Sequence, residues 1–383
     1  MKIAVINPSM CLAGGVERVI SIQVNTWVEK YNHDVIIITQ ADPSCSSFYK
    51  LNEHIRIIYT GDLIHYNILD DIRGIRMFRK RKQRINQYKN IIKKEAPNII
   101  ISMMQGEENF FLHKISNNIP IIGVNHLTIK WRKGILEKKL TKRISMYITY
   151  CNHLSHWKKY DAIVALSKTD RDNLHKSGCK TYYIPNPCSF PIINEETHER
   201  KKQVVMIGRL DYLKGQDQLL KIWKQVSNKF PEWTLLFVGD GEAKQRLLKI
   251  EKEYGIENSI RHIYKSDNIQ SILTSSSILA FTSRLESFGM VILEAFCCGL
   301  PVISYDCENG PRDLVISNKN GFLIPEGNEE LFINLLISLM NNANLRKELG
   351  INAKITADVY NIDNVMNQWE TLLKLLTKNQ ING

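Results

Sequence analysis

The chain of 383 residues is longer than one hydrophobic core usually supports, so two domains are expected. Its apolar content of 44% is ordinary for a globular protein, and no apolar run approaches the roughly 20 residues that span a bilayer. The net charge of +12 is concentrated in residues 1–187, which contain 29 Lys and Arg and 15 Asp and Glu. This asymmetry predicts that only one of the domains binds to an anionic surface.

Eight cysteines occur without a C-x-x-C pair, and Cys297 and Cys298 are adjacent in an apolar helix pattern. Neither metal binding nor a disulfide framework is expected from this usage, which fits a reducing compartment. The start M-K-I-A-V-I-N-P lacks the pattern of a cleavable signal and is typical of a first strand. We therefore expect a cytoplasmic protein.

The first predicted strand, Met1–Asn7, is followed by Gly14-Gly15 and by an amphipathic helix from about Val16 to Glu29. A strand, a glycine pair and a helix start can form a turn that faces a phosphate group, although a plain tight turn has the same pattern. Two later strands end before Gln105–Glu108 and before His126. Both strand ends are candidate ligand contacts, and a structural role for the histidine stays open.

Two basic segments lie in the same half of the chain. Residues 71–94 contain ten Lys or Arg and one acid, and residues 130–143 form a second basic run, both mixed with apolar side chains. Basic amphipathic helices suit an anionic leaflet, which attracts each nearby cation by about 1 kcal/mol, although solvated basic faces have the same composition. We find no nucleic-acid-binding module and expect no nucleic-acid partner.

Ser167 is the predicted N-cap of a helix whose first turn holds Asp170 and Asp172, the one D-x-D pattern of the chain. These acids complement the helix dipole, and we infer no metal site from them. A stiff Asn186-Pro187 turn then leads into polar chain. The predicted organisation is an N-terminal domain over residues 1–187, a linker over 188–202, a second domain over 203–360 and a final segment over 361–383.

The second domain begins with the strand Gln203–Ile207, followed by Gly208-Arg209-Leu210 and, after three residues, Lys214-Gly215. Arg209 can bind a phosphate bidentately and Lys214 adds a point charge, so the pair can neutralise a diphosphate, although loose surface cations are the alternative. A similar strand-turn-helix pattern follows at Gly239-Asp240-Gly241.

The stretch 280–304 combines a strand end, a turn with Glu286, a helix from about Met290 to Cys298 and a further strand. Ligands of open α/β sheets bind at the carboxyl ends of such strands. Gly289 allows close approach to the backbone, and the N–H groups of the helix start attract phosphate. Glu286 and Glu294 can accept hydrogen bonds from vicinal hydroxyls. These parts suit an anionic, polyhydroxylated ligand such as a nucleotide sugar, and an ordinary buried helix with two solvated glutamates is the alternative.

The run E-S-F-G-M-V-I-L-E-A at residues 286–295 resembles the signature of family 4 retaining glycosyltransferases, whose fold is called GT-B. The following A-F-C-C-G-L-P-V-I, the G-R-L…K-G element and the earlier G-G-V-E-R-V are similar to the same family. The element G-P-R-D at residues 310–313 resembles members that build bacterial capsule, exopolysaccharide and lipopolysaccharide. The resemblance covers most of the chain and is denser after Gln203.

The resemblance implies two Rossmann-like, doubly wound α/β domains facing a cleft, with a C-terminal helix that crosses back to the N-terminal domain. It implies transfer of a hexosyl unit from a nucleotide sugar, with uridine diphosphate as the nucleotide, to a lipid-linked or growing glycan acceptor. Retention of anomeric configuration is implied, without a metal or other cofactor. With the basic segments, it predicts a peripheral protein at the inner face of the cell membrane.

The resemblance also implies roles for individual residues. Glu286 would bind the donor sugar and Glu294 the ribose, while Arg209 and Lys214 would stabilise the departing diphosphate. The further donor contacts that it implies are Gly14, Gly15, Gly208, Gly239, the backbone at His262, Phe288, Gly289 and Met290. His126 would lie near the transferred sugar.

Four other functions are alternatives. A nucleotide-sugar epimerase shares the fold but needs acid and base groups around the sugar, and no added set is evident. A phosphorylase would bind free phosphate and usually a longer chain. The complete set of Glu, Arg and Lys argues against a non-catalytic binding module, because each of these residues can be lost without unfolding. A dinucleotide oxidoreductase is disfavoured because no G-x-G-x-x-G follows a strand.

Overall fold

The computed structural model describes residues 1–12, 14–61, 75–129, 139–193 and 200–378, without the side chains of residues 75–80. The chain divides into two compact units, each built around its own parallel sheet. The first unit comprises Met1–Pro187 and Val365–Gly383, and the second comprises Cys188–Asn364.

The sheet of the first unit has the strand order β3-β2-β1-β4-β5-β6-β7, and all its pairs are parallel. Its strands are β1 Lys2–Ile6, β2 Asp34–Thr39, β3 Arg56–Tyr59, β4 Ile99–Ser102, β5 Ile121–Asn125, β6 Ala162–Ala165 and β7 Thr181–Tyr183. Its helices are α1 Gly15–Glu29, α2 Ile75–Glu95, α3 Leu112–Ile115, α4 Leu140–Trp157 and α5 Lys168–Lys176. The runs of Ile and Val in β1, β2 and β4 are buried on both faces, as parallel sheets require.

The sheet of the second unit has the order β10-β9-β8-β11-β12-β13, again parallel throughout. Its strands are β8 Gln203–Ile207, β9 Thr234–Val238, β10 Ile260–Ile263, β11 Ile278–Phe281, β12 Val302–Asp306 and β13 Gly321–Pro325. Its helices are α6 Gln216–Val226, α7 Lys244–Tyr254, α8 Ile269–Ser275, α9 Met290–Cys297, α10 Pro311–Leu314, α11 Glu329–Asn341 and α12 Ala343–Val359. Trp223, Trp233 and Phe237 lie in its core.

The last helix, α13 Ile362–Lys378, begins in the second unit and packs on the first. Trp369 contacts the edge of Trp27 on α1, with ring centroids 5.8 Å apart, and both side chains are buried. Beside them Glu370 Oε1 lies 3.0 Å from Nε2 of His33. The apolar side of this helix is therefore part of the core of the first unit.

Several predicted elements are confirmed, with small shifts at their ends. The strand at Gln203–Ile207 has the predicted bounds, the strand end predicted before Glu286 belongs to Ile278–Phe281, and the helix from Met290 ends at Cys297 rather than at Cys298. Ser167 caps α5 as predicted, because its Oγ accepts the N–H of Asp170 at 3.1 Å. The carboxylate of Asp170 also accepts the N–H of Ile129, at 3.1 Å, which gives this acid a structural role inside the unit.

The expectation from cysteine usage is wrong for one pair. Cys11 and Cys45 form a disulfide, whereas the other six cysteines are free thiols. The bond joins the segment after β1 to the segment after β2, and these two adjacent parallel strands end at the same edge of the sheet. The sequence separation of 34 residues does not show this proximity.

The two basic segments are covered only in part. Residues 71–74 and 130–138 lie outside the described residues, whereas residues 75–94 belong to α2. The predicted apolar side of that helix is confirmed by the buried Tyr88 and Ile92, while Lys82, Lys89, Lys93 and Lys94 are exposed. Within the described ranges, no helix is both long and apolar enough to cross a membrane.

Replacement of Trp369 tests the packing of the last helix. Trp369→Ala should lower the free energy of unfolding by about 3–5 kcal/mol, because it leaves a cavity against Trp27. Leu375→Ala on the same helix is the control, since Leu375 is 48% exposed and its truncation should change stability by less than about 0.5 kcal/mol. Urea unfolding followed by far-UV circular dichroism measures both, and equal stability of the two variants would contradict the described packing.

Candidate functional site

The strand order of the second unit creates a site at one edge of its sheet. β8 and β11 are neighbours in this sheet. The chain continues from β8 to β9 on one side and from β11 to β12 on the other, so the connections leave β8 and β11 in opposite directions. The loop after β8, residues 208–215, and the loop after β11, residues 282–289, consequently meet at the carboxyl ends of adjacent strands. This is the position where open α/β sheets bind their ligands.

Hydrogen bonds to backbone carbonyls join the two loops. The N–H of Arg284 donates to the carbonyl of Leu213 at 2.7 Å, and Oγ1 of Thr282 donates to the carbonyl of Gly215 at 2.8 Å. Gly215 has a φ of +71°, and a Cβ there would overlap the carbonyl oxygen of Thr282. Only glycine meets both requirements, so the loops are held in one relative position.

Asp211 orients the two cations of the first loop. Its carboxylate accepts the Nε–H of Arg209 at 2.6 Å through one oxygen and the N–H of Lys214 at 3.0 Å through the other. The Asp211 side chain is 7% exposed, whereas that of Arg209 is 71% exposed. A buried anion thus fixes the base of the loop while the guanidinium extends toward solvent.

Lys214 and Glu286 form an ion pair between the two loops. The contact joins Lys214 Nζ to Glu286 Oε1, and Ser283 Oγ donates to the same oxygen at 3.0 Å. Both side chains are largely enclosed, with exposed fractions of 27% and 11%. The structure therefore brings together two predicted site residues that are 72 positions apart in sequence.

The negative charge of Glu286 also affects its surroundings. Burial, with added repulsion from the carboxylates of Glu286 and Asp306, raises the pKa of the Cys307 thiol to about 12. This thiol is therefore neutral at physiological pH. The loop after β12, which carries Cys307, packs closely against the loop of Glu286. At the contact, Gly310 has a φ of +57° and a Cβ there would overlap the carbonyl of Phe288.

Helix α9 begins next to this ion pair. Gly289, its N-cap, has a φ of +89°, and Met290 is the first helical residue. Glu294, one turn into the helix, is 3% exposed, and the preceding Phe288 is also buried. The two glutamates consequently differ, since Glu286 lies on a loop beside a cation and Glu294 lies on the enclosed side of a helix.

Gly208 and Gly239 end adjacent strands and touch each other. The N–H of Gly208 donates to the carbonyl of Val238 at 2.9 Å, and a Cβ on Gly239 would overlap the carbonyl of Gly208. The His262 ring stacks between Phe237 and Tyr264, with ring centroids 5.6 Å from each, and its Nε2 lies 3.1 Å from Glu251. The side chain of His262 thus serves the packing of its own unit.

The other predicted site residues belong to the first unit. Gly14 is the N-cap of α1 and Gly15 is its first residue. His126 follows β5, is buried, and has its Nε2 3.3 Å from Sδ of Met103. Glu107, which follows β4, forms an ion pair with the buried Arg84.

Glu108, next to Glu107, is completely buried. Its carboxylate accepts hydrogen bonds from Ser102 Oγ and from the N–H of Gly106, each at 3.2 Å. Burial raises its pKa. The candidate segment Gln105–Glu108 therefore has charged groups that already serve the interior of the unit.

Sequence reasoning missed three residues that position the site. Asp211 and Ser283 hold Lys214 and Glu286 as described, and Asp217 binds Arg284 through two hydrogen bonds of 2.8 and 3.0 Å. Burial opposes the charge of Asp217, but the bonds from Arg284 outweigh it and lower the pKa of this acid. The spacing Asp211-x-x-Lys214, typical of an N-cap, was the available signal.

Two family models match the chain. Residues 13–189 match the family described as Glycosyltransferase Family 4, and residues 191–356 match Glycosyl transferases group 1. The chain is a family 4-like glycosyltransferase.

Several known glycosyltransferases are similar in sequence to this chain over most of its length. An uncharacterized glycosyltransferase of Haemophilus influenzae is 28% identical, and the match covers 94% of this chain and 96% of the relative. The lipopolysaccharide 1,6-galactosyltransferase of Salmonella typhimurium is 26% identical, covering 87% and 88%. A third relative, from Campylobacter jejuni, is 23% identical, covering 94% and 95%, and is an α-1,4-N-acetyl-D-galactosaminyltransferase acting on a glycan carried by PP-undecaprenol.

A solved structure of this fold is Anabaena Alr3699/HepE in complex with UDP. It is 18% identical, with a TM-score of 0.74, and the match covers 98% of this glycosyltransferase and 100% of that chain. The fold is GT-B, with two Rossmann-like α/β domains and a last helix that returns to the first.

Variants of Asp211 test whether this acid positions the two cations. We expect Asp211→Asn to fold normally, because the amide oxygen can still accept the N–H of Lys214, but to weaken UDP binding about tenfold or more, since Arg209 loses its ionic partner. Titration calorimetry with UDP and with uridine monophosphate measures the loss. Asp240→Asn, at an exposed acid of a neighbouring loop, is the control. Equal losses for both nucleotides would contradict a role in binding the second phosphate.

Proposed function

We propose that this glycosyltransferase transfers a hexosyl unit from a nucleotide sugar, with uridine diphosphate as the nucleotide, to a lipid-linked or growing glycan acceptor in surface polysaccharide synthesis. The observation that carries the donor assignment is the contact of Lys214 with Glu286 beside Arg209 at the switch point of the second sheet. The names of the relatives support the acceptor class, since one is a lipopolysaccharide galactosyltransferase and another acts on a polyprenyl-diphosphate glycan. The UDP complex of a structure with the same fold supports the nucleotide.

The ion pair defines how the donor would bind. In the structure, Lys214 and Glu286 neutralise each other. A diphosphate brings negative charge that competes for Lys214 and is also attracted by the exposed Arg209. Release of Lys214 leaves Glu286 free to accept hydrogen bonds from sugar hydroxyls. A nucleotide sugar, with its phosphates and its hydroxyls on adjacent atoms, can satisfy both groups at once.

In the proposed reaction, the bond between the anomeric carbon and the diphosphate oxygen breaks, and the oxygen of an acceptor hydroxyl bonds to that carbon on the same face while its proton passes to the departing diphosphate. The departing diphosphate takes the electron pair, so negative charge develops where Arg209, Lys214 and the N–H groups at Phe288 and Gly289 are assigned. Fixed cations and N–H groups aimed at such charge are typically the largest catalytic contribution. We therefore propose that no metal ion is needed.

The remaining assignments are part of the same proposal. Glu294 binds the ribose hydroxyls, and the backbone at His262 lies along the base. Gly208, Gly239 and Met290 line the donor, while Gly14, Gly15 and His126 of the first unit contact the substrates. The cations of residues 71–94 and 130–143 attach the protein peripherally to the inner, anionic face of the cell membrane.

Removal of either cation tests the diphosphate assignment. Arg209→Ala and Lys214→Ala should each raise the barrier by about 3 kcal/mol, roughly a hundredfold in rate, because the leaving charge loses a fixed partner. Release of UDP from candidate UDP-sugars in the presence of glycan acceptors measures the rate, and Lys249→Ala is the control because Lys249 is an exposed cation of α7. Product analysis distinguishes transfer from epimerisation, and wild-type turnover in both variants would refute the assignment.

Glu286→Gln separates the two halves of the ion pair. The substitution removes the carboxylate that neutralises Lys214, so UDP should bind as tightly as before or more tightly. Transfer should fall at least about a hundredfold, since the sugar hydroxyls lose a charged acceptor. Calorimetry with UDP and the transfer assay measure the two effects on the same preparation. Weakened UDP binding together with unchanged transfer would contradict the assignment of Lys214 to the diphosphate and of Glu286 to the sugar.

A further inference from the structure

Helix α4 of the first unit presents an unusual set of side chains to solvent. Leu140, Ile144, Tyr147 and Ile148 are exposed, with fractions between 50% and 67%. The helix rotates by about 100° per residue, which places these four side chains within an arc of about 100° on one side. Within the described ranges, the first three turns of α4 therefore form a continuous apolar stripe that faces water.

The other end of α4 is fixed in the core. Tyr150 and Trp157 are buried, and Leu154 packs against the same cluster. The indole N–H of Trp157 donates to Asn109 Oδ1 at 3.3 Å. Because one end of the helix is anchored while the other end exposes its apolar stripe, the stripe is held in a constant position at the surface of the unit.

Charge distinguishes this stripe from other exposed apolar residues. The segment Leu140–Trp157 contains no acidic residue, and Lys139, Lys142 and Arg143 are exposed beside the stripe. Helix α12 of the second unit offers a comparison, since Ile351 and Ile355 are also exposed there but its charges have both signs. Apolar side chains next to cations match a surface with an apolar interior and anionic headgroups.

We propose that the α4 stripe, Leu140, Ile144, Tyr147 and Ile148, inserts among the lipids of an anionic membrane while the neighbouring cations contact the headgroups. This deepens the proposed function, on which it rests, by identifying the described residues that enter the lipid. Charge alone would hold the protein above the headgroups, whereas the stripe adds apolar burial that salt does not screen.

Paired substitutions test the insertion. Ile144→Ser/Ile148→Ser should weaken binding of the full chain to phosphatidylcholine–phosphatidylglycerol vesicles roughly tenfold or more, because two aliphatic side chains no longer leave water. Ile351→Ser/Ile355→Ser is the matched control, with the same residue types, the same spacing and similar exposure. Vesicle sedimentation at low and high salt measures both. Equal binding of wild type and Ile144→Ser/Ile148→Ser, or equal losses for both pairs, would overturn the proposal.

A second measurement does not depend on loss of binding. Tyr147→Trp should gain emission that brominated phosphatidylglycerol quenches, whereas Ile355→Trp on α12 should show no quenching beyond that of wild type. Absence of quenching in Tyr147→Trp bound to vesicles would overturn the proposal. So would a dimer in solution that Ile144→Ser/Ile148→Ser converts to a monomer with its vesicle affinity intact, because the stripe would then join two copies of the chain.

The outcome is separable from that of the proposed function. UDP binding, measured by calorimetry without vesicles, should be the same in wild type and Ile144→Ser/Ile148→Ser. If UDP binds but the stripe variant sediments with vesicles like wild type, only the insertion is refuted. If no variant binds UDP, the donor assignment is refuted, and a stripe-dependent vesicle affinity would still support insertion.

Discussion

The ion pair between Lys214 and Glu286 depends on the order of two strands. Because β8 and β11 are neighbours in the sheet, loops that are 72 residues apart in sequence meet at one edge. Gly215 then fixes their separation, since no side chain fits between its Cα and the Thr282 carbonyl. The other features of the candidate site, including the exposed Arg209 and the start of α9, are arranged around this contact.

The pair also explains how a site rich in charge is stable. A cation and a carboxylate enclosed together each lose hydration, and their mutual contact offsets that loss. Removing one partner leaves the other uncompensated, so the site favours a ligand that replaces both contacts. The Asp211 carboxylate has a different role, because it binds the side chain of Arg209 and the backbone of Lys214 and so restricts the first loop before any donor arrives.

Much of this arrangement could be predicted from sequence. Apolar strands, the glycines of the loops that follow them and the helices that begin after those loops identified both loops, because strand length and turn residues are local properties. Contacts between distant segments could not be predicted in this way. The pairing of Lys214 with Glu286, the support from Ser283 and the Cys11–Cys45 disulfide all depend on strand order. Helix α4 was expected only as a basic run ending at residue 143, since its exposed apolar stripe does not resemble the buried face of an ordinary surface helix.

A crystal structure of the protein soaked with uridine diphosphate tests the central claim most directly. We expect density for the diphosphate between Arg209, Lys214 and the N-terminal end of the Met290–Cys297 helix, with the Lys214–Glu286 contact broken or lengthened. Ordered nucleotide elsewhere in the molecule, with Lys214 still paired to Glu286 and this position empty, would contradict it.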